Sequence, residues 1–419
     1  MTASDSRRTV EAVWRMESAR LLAGLVRMVR DVDLAEDLAQ DALLAALQQW
    51  PASGVPRNPG AWLMSVAKRR AVDHLRRADR LERRHAEIAR GMTQQGTAPD
   101  VEADLGDHID DDLLRLMFIC CHPALTPDAR TTLTLRMLGG LTTKEIARSF
   151  LTSEATIAQR VVRAKSTLRD VGAPLEEPTR EERAERLASV LGVLYLVFNE
   201  GYSATAGEDW MRPALCEEAL RLGRVLAGIA PGEPEVHGLV ALMEIQASRT
   251  SARLGRAGEP VLLRDQDRAR WDRTLVRRGL AALERAEALS DGAPGPYTLQ
   301  AAIAACHARA RTADDTDWPR IASLYAELAA VTSSPVVQVN RAVAVAMAYG
   351  AQHGLDLLDE LADTVLRGYH LLPSVRADLL ARLGRTGEAR TELRHAVALV
   401  QNGRERALLL GRLRAMDDA

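Results

Sequence analysis

Aromatic residues are scarce in this chain, with Phe, Trp and Tyr together making only 4% of its 419 residues. Scarce aromatics and few β-branched runs argue against a sheet-rich core, because strands favour those residue types. Cysteine is rare too: four in this length exclude a disulfide framework and point to a reducing compartment. No apolar run approaches the roughly 20 residues that cross a bilayer. The longest, Leu187 to Phe198, reads as a buried helix. The opening MTASDSRRTVEAVWRMES has neither the apolar stretch nor the small-residue cleavage site of a signal peptide, so a cytoplasmic protein with no membrane contact is expected.

Motifs of bond-making chemistry are also missing. There is no phosphate-cradling glycine loop, metalloprotease pair or nucleophile elbow, so neither catalysis nor a cofactor is expected. Cys120-Cys121-His122 and Cys306-His307 lack the ligand spacing of zinc sites. Phe118-Ile119-Cys120-Cys121 continues an apolar helix, in which free Cys behaves as a small buried hydrophobe. No metal is expected there.

What is abundant is Ala, Leu and Arg, the composition of an almost wholly helical protein. The length implies at least two units, at roughly 100–200 residues per domain. The net charge of −2 conceals segments: +3 over residues 1–80, −6 over 81–112, +5 over 113–172 and −4 over the remainder. Basic blocks suggest polyanion contact, though small imbalances also occur on ordinary solvated helices.

Pro and Gly divide the chain. PASGVPRNPG (51–60) stops helical periodicity, and GMTQQGTAPDVEADLGDH (91–108) has the composition of a flexible acidic linker. GAPLEEPTREE (172–182) is a second break. The expected division is 1–80, an acidic linker over 81–108, a second small domain over 109–171, a linker over 172–182, and a long extension over 183–419. Within the extension, helix pairs begin near Trp210, Trp271, Asp317 and Leu355. The unit over residues 374–402 places Ala377, Leu380, Leu383, Gly384, Ala389, Leu393 and Ala396 close to the small and large positions of a tetratricopeptide repeat (TPR). An irregular bundle is the alternative.

LTTKEIARSFLTSEATIAQRVVRAK (141–165) predicts a helix-turn-helix. Thr126-Pro127-Asp128 opens the helix before it, and Gly139-Gly140 ends that helix. Thr142 and Glu145 form a capping box, and Ser153 caps the second helix. Ile146, Ala147 and Phe150 would face Ile157 and Val161. Glu154, Thr156, Gln159, Arg160, Arg163 and Lys165 are left on an exposed face suited to base edges and phosphates. The corner Leu151-Thr152 replaces the usual Gly; Leu tolerates a left-handed backbone poorly, so a different turn is expected.

The first domain narrows the purpose. DVDLAEDLAQDALLAALQQW (31–50) sets Asp33, Asp37 and Asp41 at i, i+4 spacings with Glu36 alongside. Such like-charge pairs cost a helix about 0.2–0.5 kcal/mol each, which suggests a basic protein partner, a solubilising face being the bland alternative. NPGAWLMSVAKRRAVDHLRR (58–77) buries Trp62, Leu63, Val66 and Leu75 and projects Lys68, Arg69, Arg70, Arg76 and Arg77. A basic helix behind a Pro-rich loop and a Trp suits single-stranded DNA.

Taken in order, AEDLAQDALLAALQQW, AWLMSVAKRRAVDHLRR and the 141–165 stretch resemble regions 2 and 4 of the extracytoplasmic-function sigma factors of bacterial RNA polymerase. The resemblance covers about residues 10–170, and the extension resembles a branch with a long TPR-like C-terminal part. It implies an all-α protein: two small helical sigma domains joined by a flexible linker, then a TPR-like repeat domain. It further implies that Asp33, Glu36, Asp37, Gln40 and Asp41 bind the clamp helices of core polymerase, with the polymerase flap as a second contact. Asn58, Trp62, Lys68, Arg69, Arg70, Asp73, His74, Arg76 and Arg77 would take the melted −10 element of promoter DNA. Glu154, Ala155, Thr156, Gln159, Arg160, Arg163 and Lys165 would read the −35 element. An intramolecular contact between extension and sigma domains is expected to modulate activity, in either sense. The alternative is a helix-turn-helix regulator with a helical sensor, acting beside polymerase without replacing its sigma subunit.

Overall fold

The computed structural model describes residues 3–90, 109–172, 180–204, 209–255, 258–361 and 369–417. The described residues form eighteen α-helices and three short 3₁₀ turns; their one β feature is an isolated bridge between Leu254 and Pro260. The chain divides into two compact units, residues 1–193 and 194–419.

In the first unit, helix α1 (Ala3–Val29) ends at Arg30, whose φ of +52° breaks the spiral. Helix α2 (Val32–Ser53) starts from Asp31, whose carboxylate accepts the Leu34 amide at 2.9 Å. It ends at Gly54 in the left-handed region, with Pro51 in its last turn. Helix α3 (Pro59–Arg90) starts from Asn58, whose side chain accepts the Ala61 amide at 3.1 Å. It carries on to Arg90, into the segment whose composition reads as linker, and the rest of that linker lies outside the described residues.

The next helices are α4 (Ile109–Cys120), α5 (Pro127–Met137), α6 (Thr143–Ser149) and α7 (Glu154–Asp170). Their starts follow local chemistry. Thr126 caps α5, the reciprocal Thr142–Glu145 box caps α6, and Ser153 accepts the Thr156 amide at 3.0 Å. Ile146, Ala147 and Ile157 are fully buried between α6 and α7, with Phe150 and Val161 half-buried.

The corner between α6 and α7 corrects the expectation for Leu151. Its φ is +50°, the left-handed turn itself. Thr152 donates its amide to the Ala147 carbonyl at 3.0 Å, and Leu151 donates its own to Arg148 at 3.4 Å. These are the two bonds of a Schellman stop, made here around a leucine. They satisfy helix-end carbonyls that would otherwise be orphaned, which offsets the strain. The Leu151 side chain is 57% exposed.

Helix α8 (Arg180–Tyr202) begins in the first unit: Ser189 donates to the Cys121 carbonyl at 2.7 Å and accepts from Arg130 at 3.1 Å. As expected, its Leu187, Val190, Leu191, Val197 and Phe198 are buried.

The second unit continues with α9 (Pro213–Ile229), α10 (Pro234–Ala247), α11 (Arg273–Leu289), α12 (Pro296–Arg309) and α13 (Trp318–Val331). It closes with α14 (Pro335–Tyr349), α15 (Ala351–Asp359), α16 (Leu371–Arg382), α17 (Thr386–Leu399) and α18 (Gly403–Asp417). Its apolar clusters share helices in sequence. One joins α10, α11 and α12, the next α12, α13 and α14, a third α14 to α17, and the last α16 to α18. Each helix packs on its chain neighbours, the stepwise core of a TPR-like repeat. Ala377, Leu380, Ala389, Leu393 and Ala396 are buried as the repeat positions require, Leu383 is half-buried, and Gly384 has the φ of +76° that ends α16. At Gly238 the approach is so close that a Cβ would sit 2.7 Å from the Thr298 backbone nitrogen.

Candidate functional site

The acidic face of α2 meets the basic end of α7. Lys165 lies 2.8 Å from an Asp33 oxygen and 2.6 Å from a Glu36 oxygen, and Arg169 pairs with Asp33. From α5, Arg136 reaches the other Glu36 oxygen at 2.8 Å, and Gln40 donates to it at 3.1 Å. Glu36 is thus bracketed by two cations from two helices, with its side chain only 10% exposed. Farther along α2, Asp41 pairs with Arg70 of α3 at 2.6 Å, and Asp37 is exposed. The basic partner implied by the like-charge stripe is therefore supplied here by the chain itself.

The electrostatics follow from that geometry. Burial alone would raise the Glu36 carboxyl; the hydrogen bond and charge of Lys165, then Arg136, outweigh it and hold the group below its ordinary value. At Asp33 burial again opposes, and Lys165 and Arg169 win. Burial would lower the Lys165 ammonium, but its two carboxylates hold it above the usual lysine value. All three groups are charged across the neutral range.

Two more ion pairs tie α1 to other helices of this unit. Arg15 of α1 meets Glu145 of the capping box at 2.6 Å, and Arg27 meets the buried Asp112 of α4 at 3.2 Å. A Cβ on Gly140 would come within 2.9 Å of the Ser18 hydroxyl of α1, so the Gly139-Gly140 turn sits against that helix.

The residues expected to meet DNA fall into two sets. On α3, Arg69, Asp73, His74, Arg76 and Arg77 are exposed and Lys68 half-exposed, while Arg70 is engaged by Asp41 and Asn58 caps the helix. Trp62 is half-buried, against an expectation of burial, with its ring edge-on to the buried Trp50 at 5.4 Å. Leu63 is buried, but Val66 and Leu75 are only half-buried. On α7, Glu154, Ala155, Thr156, Gln159 and Arg163 share an exposed face. Arg160 turns back to Asp128 of α5 at 3.1 Å. Lys165 departs from the exposed face altogether. At its position α7 faces α2, and the side chain is 12% exposed.

Sequence reasoning missed Arg136 and Arg169. A signal existed, since Lys165 and Arg169 at i, i+4 complement Asp33 and Glu36 at i, i+3. Only tertiary contact joins positions more than a hundred residues apart.

Cys120 and Cys121 are buried, and burial pushes the Cys121 thiol up to about 12, so neither is a ready nucleophile or ligand. No group of three or more metal-ligating side chains occurs among the described residues, and no described helix is long and apolar enough to cross a membrane.

Residues 14–81 match the family model of Sigma-70 region 2, residues 115–168 that of Sigma-70 region 4, and residues 186–287 a family of unknown function. Among curated proteins, the chain is 43% identical over 394 residues to the uncharacterized protein R00370 of Rhizobium meliloti, covering 93% of this chain and 91% of that one. It is 30% identical over 162 residues to the probable ECF RNA polymerase sigma factor SigI of Mycobacterium tuberculosis, covering 38% of this chain and spanning 54% of that relative. With the ECF RNA polymerase sigma factor SigK of the same organism it shares 32% identity over 155 residues, 36% of this chain and 79% of SigK. No solved structure matches. Two sigma domains in order, and a curated sigma factor spanned over most of its length, place this chain in the family of ECF RNA polymerase sigma factors.

Proposed function

We infer that this protein joins core RNA polymerase and directs it to promoters. In this reading α2 presents Asp33, Glu36, Asp37, Gln40 and Asp41 to the polymerase clamp helices. The 51–60 loop and α3 take the melted −10 element, α7 reads the −35 element, and the second unit modulates the result. The arrangement described above is then a closed form, and one observation carries it: the Asp33 and Glu36 carboxylates proposed to meet polymerase are held by Lys165, Arg169 and Arg136. A side chain cannot satisfy both partners at once, so polymerase has to displace α7 from α2. That displacement also frees Lys165 for DNA.

The test measures affinity for sigma-free core polymerase together with run-off transcription. Arg136→Gln with Arg169→Gln loosens the contact without touching the acids or the proposed −35 set. Core affinity is expected to rise several-fold; unchanged affinity would remove the closed-form reading. Absence of both core binding and transcript, with tight duplex binding by the protein alone, would favour a regulator acting beside polymerase. The part played by the second unit is read by transcription after truncation at Val193. A cut at Gly172 would also strip Ser189 from its Cys121 and Arg130 partners.

A further inference from the structure

The second unit holds an open pocket of about 780 Å³, framed by the 262–268 turn and helices α12, α13, α14, α16 and α18. That is within the range of small-molecule sites, roughly 300–1,000 Å³, and the cavity lies wholly inside this one unit. Its walls are apolar and aromatic, with Trp318, Ile321, Tyr325, Val343 and Met347 among them. The charged side chains lining it are Arg264, Arg268, Arg382 and Arg412 against Asp314 and Asp378, an excess of two positive charges.

These cations are not all neutralised in place. Asp378 is shared between Arg382 at 3.0 Å and Arg412 at 3.3 Å, so two guanidiniums have one carboxylate between them. A second Arg382 nitrogen rests 2.8 Å from the Met347 sulfur, a weak acceptor. At the other side Arg268 donates to the Ala310 carbonyl at 3.0 Å and the Thr316 hydroxyl at 3.3 Å, neutral acceptors, and the Asp315 carboxylate is near enough to act on its charge without an ion pair between them. Burial, and then the nearby charges of Arg249 and Arg268, push the His307 imidazole in the cavity wall down to about 4. Arg249 is 5% exposed, its Nε lacks a hydrogen-bond partner, and it stacks near the Tyr202 and Trp271 rings with no carboxylate in ion-pair range among the described residues. A buried, uncompensated positive charge beside an apolar chamber favours an anion that brings its own apolar body.

We propose that this cavity is a binding site for a small amphipathic organic anion, with its acidic head at Arg382 and Arg412 and its apolar or aromatic body along Trp318, Tyr325, Ile321 and Val343. The pocket is bounded by several helices and opens to solvent, and its volume suits a compact ligand that leaves one end accessible.

Full-length protein is titrated with the fluorescent anion anilinonaphthalene sulfonate, with dodecanoate, dodecanol and dodecylamine as competitors. One saturable site is expected, displaced at least about tenfold more readily by dodecanoate than by dodecanol, because a charge-assisted hydrogen bond is lost with the carboxylate. Dodecylamine should not compete. Arg382→Gln with Arg412→Gln should weaken binding about tenfold or more. Val343→Trp should abolish it by filling the chamber, with Met347→Trp as the second filling variant if the first does not fold. Arg285→Gln, outside the cavity, should change nothing. Equal competition by dodecanol, full binding by a well-folded filling variant, or no saturable binding of either anion would overturn the proposal. So would displacement by hexaglutamate but not by dodecanoate, which would indicate a peptide site.

Discussion

Helix α7 docks on α2 through a knot of charged side chains, whereas α16, α17 and α18 lock together through Ala377, Leu393, Ala396 and Leu409, from which water is excluded. The first kind of contact is directional and, where its charges are exposed, open to screening by salt. The second is non-directional and close-packed, and it is lost only when the unit unfolds. A contact proposed to open for function is suited to charges, because a competing surface with acids or bases of its own can replace each partner. A scaffold that has to hold a cavity in shape is served by small apolar residues at close approach.

The largest expected effect is in the scaffold. Leu393→Ala removes a fully buried side chain and should destabilise the second unit by about 3 kcal/mol. Denaturant unfolding followed by circular dichroism checks it, and the loss should be independent of salt. Next is Lys165→Met, which leaves Glu36 and Asp33 facing one arginine each. Taking one member from a buried ionic cluster should cost the closed contact about 2–3 kcal/mol. Hydrogen exchange on α7 measures this, and the difference from wild type should shrink as salt rises. If salt makes no difference, the contrast between the two regions fails.

A pH series sharpens the same contrast. Asp33 and Glu36 titrate lower in the closed form than in the unfolded chain, so their contribution is fully present above about pH 4.5 and fades as pH falls through their depressed values. Lys165 is shifted the opposite way, so its contribution is complete below about pH 10.5 and fades above it. Closure measured by energy transfer between labels on α2 and α7 should therefore form a plateau between those limits. Helical content of the second unit should not track it. The smallest effect is at the corner: Leu151→Gly should stabilise the first unit by about 0.5–1 kcal/mol, the left-handed strain relieved less the entropy a glycine adds to the unfolded chain. Thermal melts of the two proteins read it.

Helix starts were legible because capping is local: Thr126, Thr142 and Ser153 each bond an amide three residues on. The repeat positions of residues 374–402 were legible because burial follows helical period. Leu151 was misjudged because its cost was visible in sequence, while the two helix-end bonds that offset it were not. Trp62 was expected to be buried, and its edge-on packing with Trp50 leaves it half-exposed.

The proposed polymerase-facing acids were legible as a stripe, but not what covers them. Residue type and spacing decided by themselves that this chain is helical and where α5, α6 and α7 begin, since these rest on short-range periodicity and capping; the two sigma domains of its first 170 residues were legible through the resemblance of three motifs in order. That Lys165 spends its charge on Asp33 and Glu36, and that Arg268, Arg382 and Arg412 converge on one chamber, was decided only by tertiary structure. Coulomb and packing energies depend on distances in space, and residues 33 and 165, or 268 and 412, have none until the chain is folded.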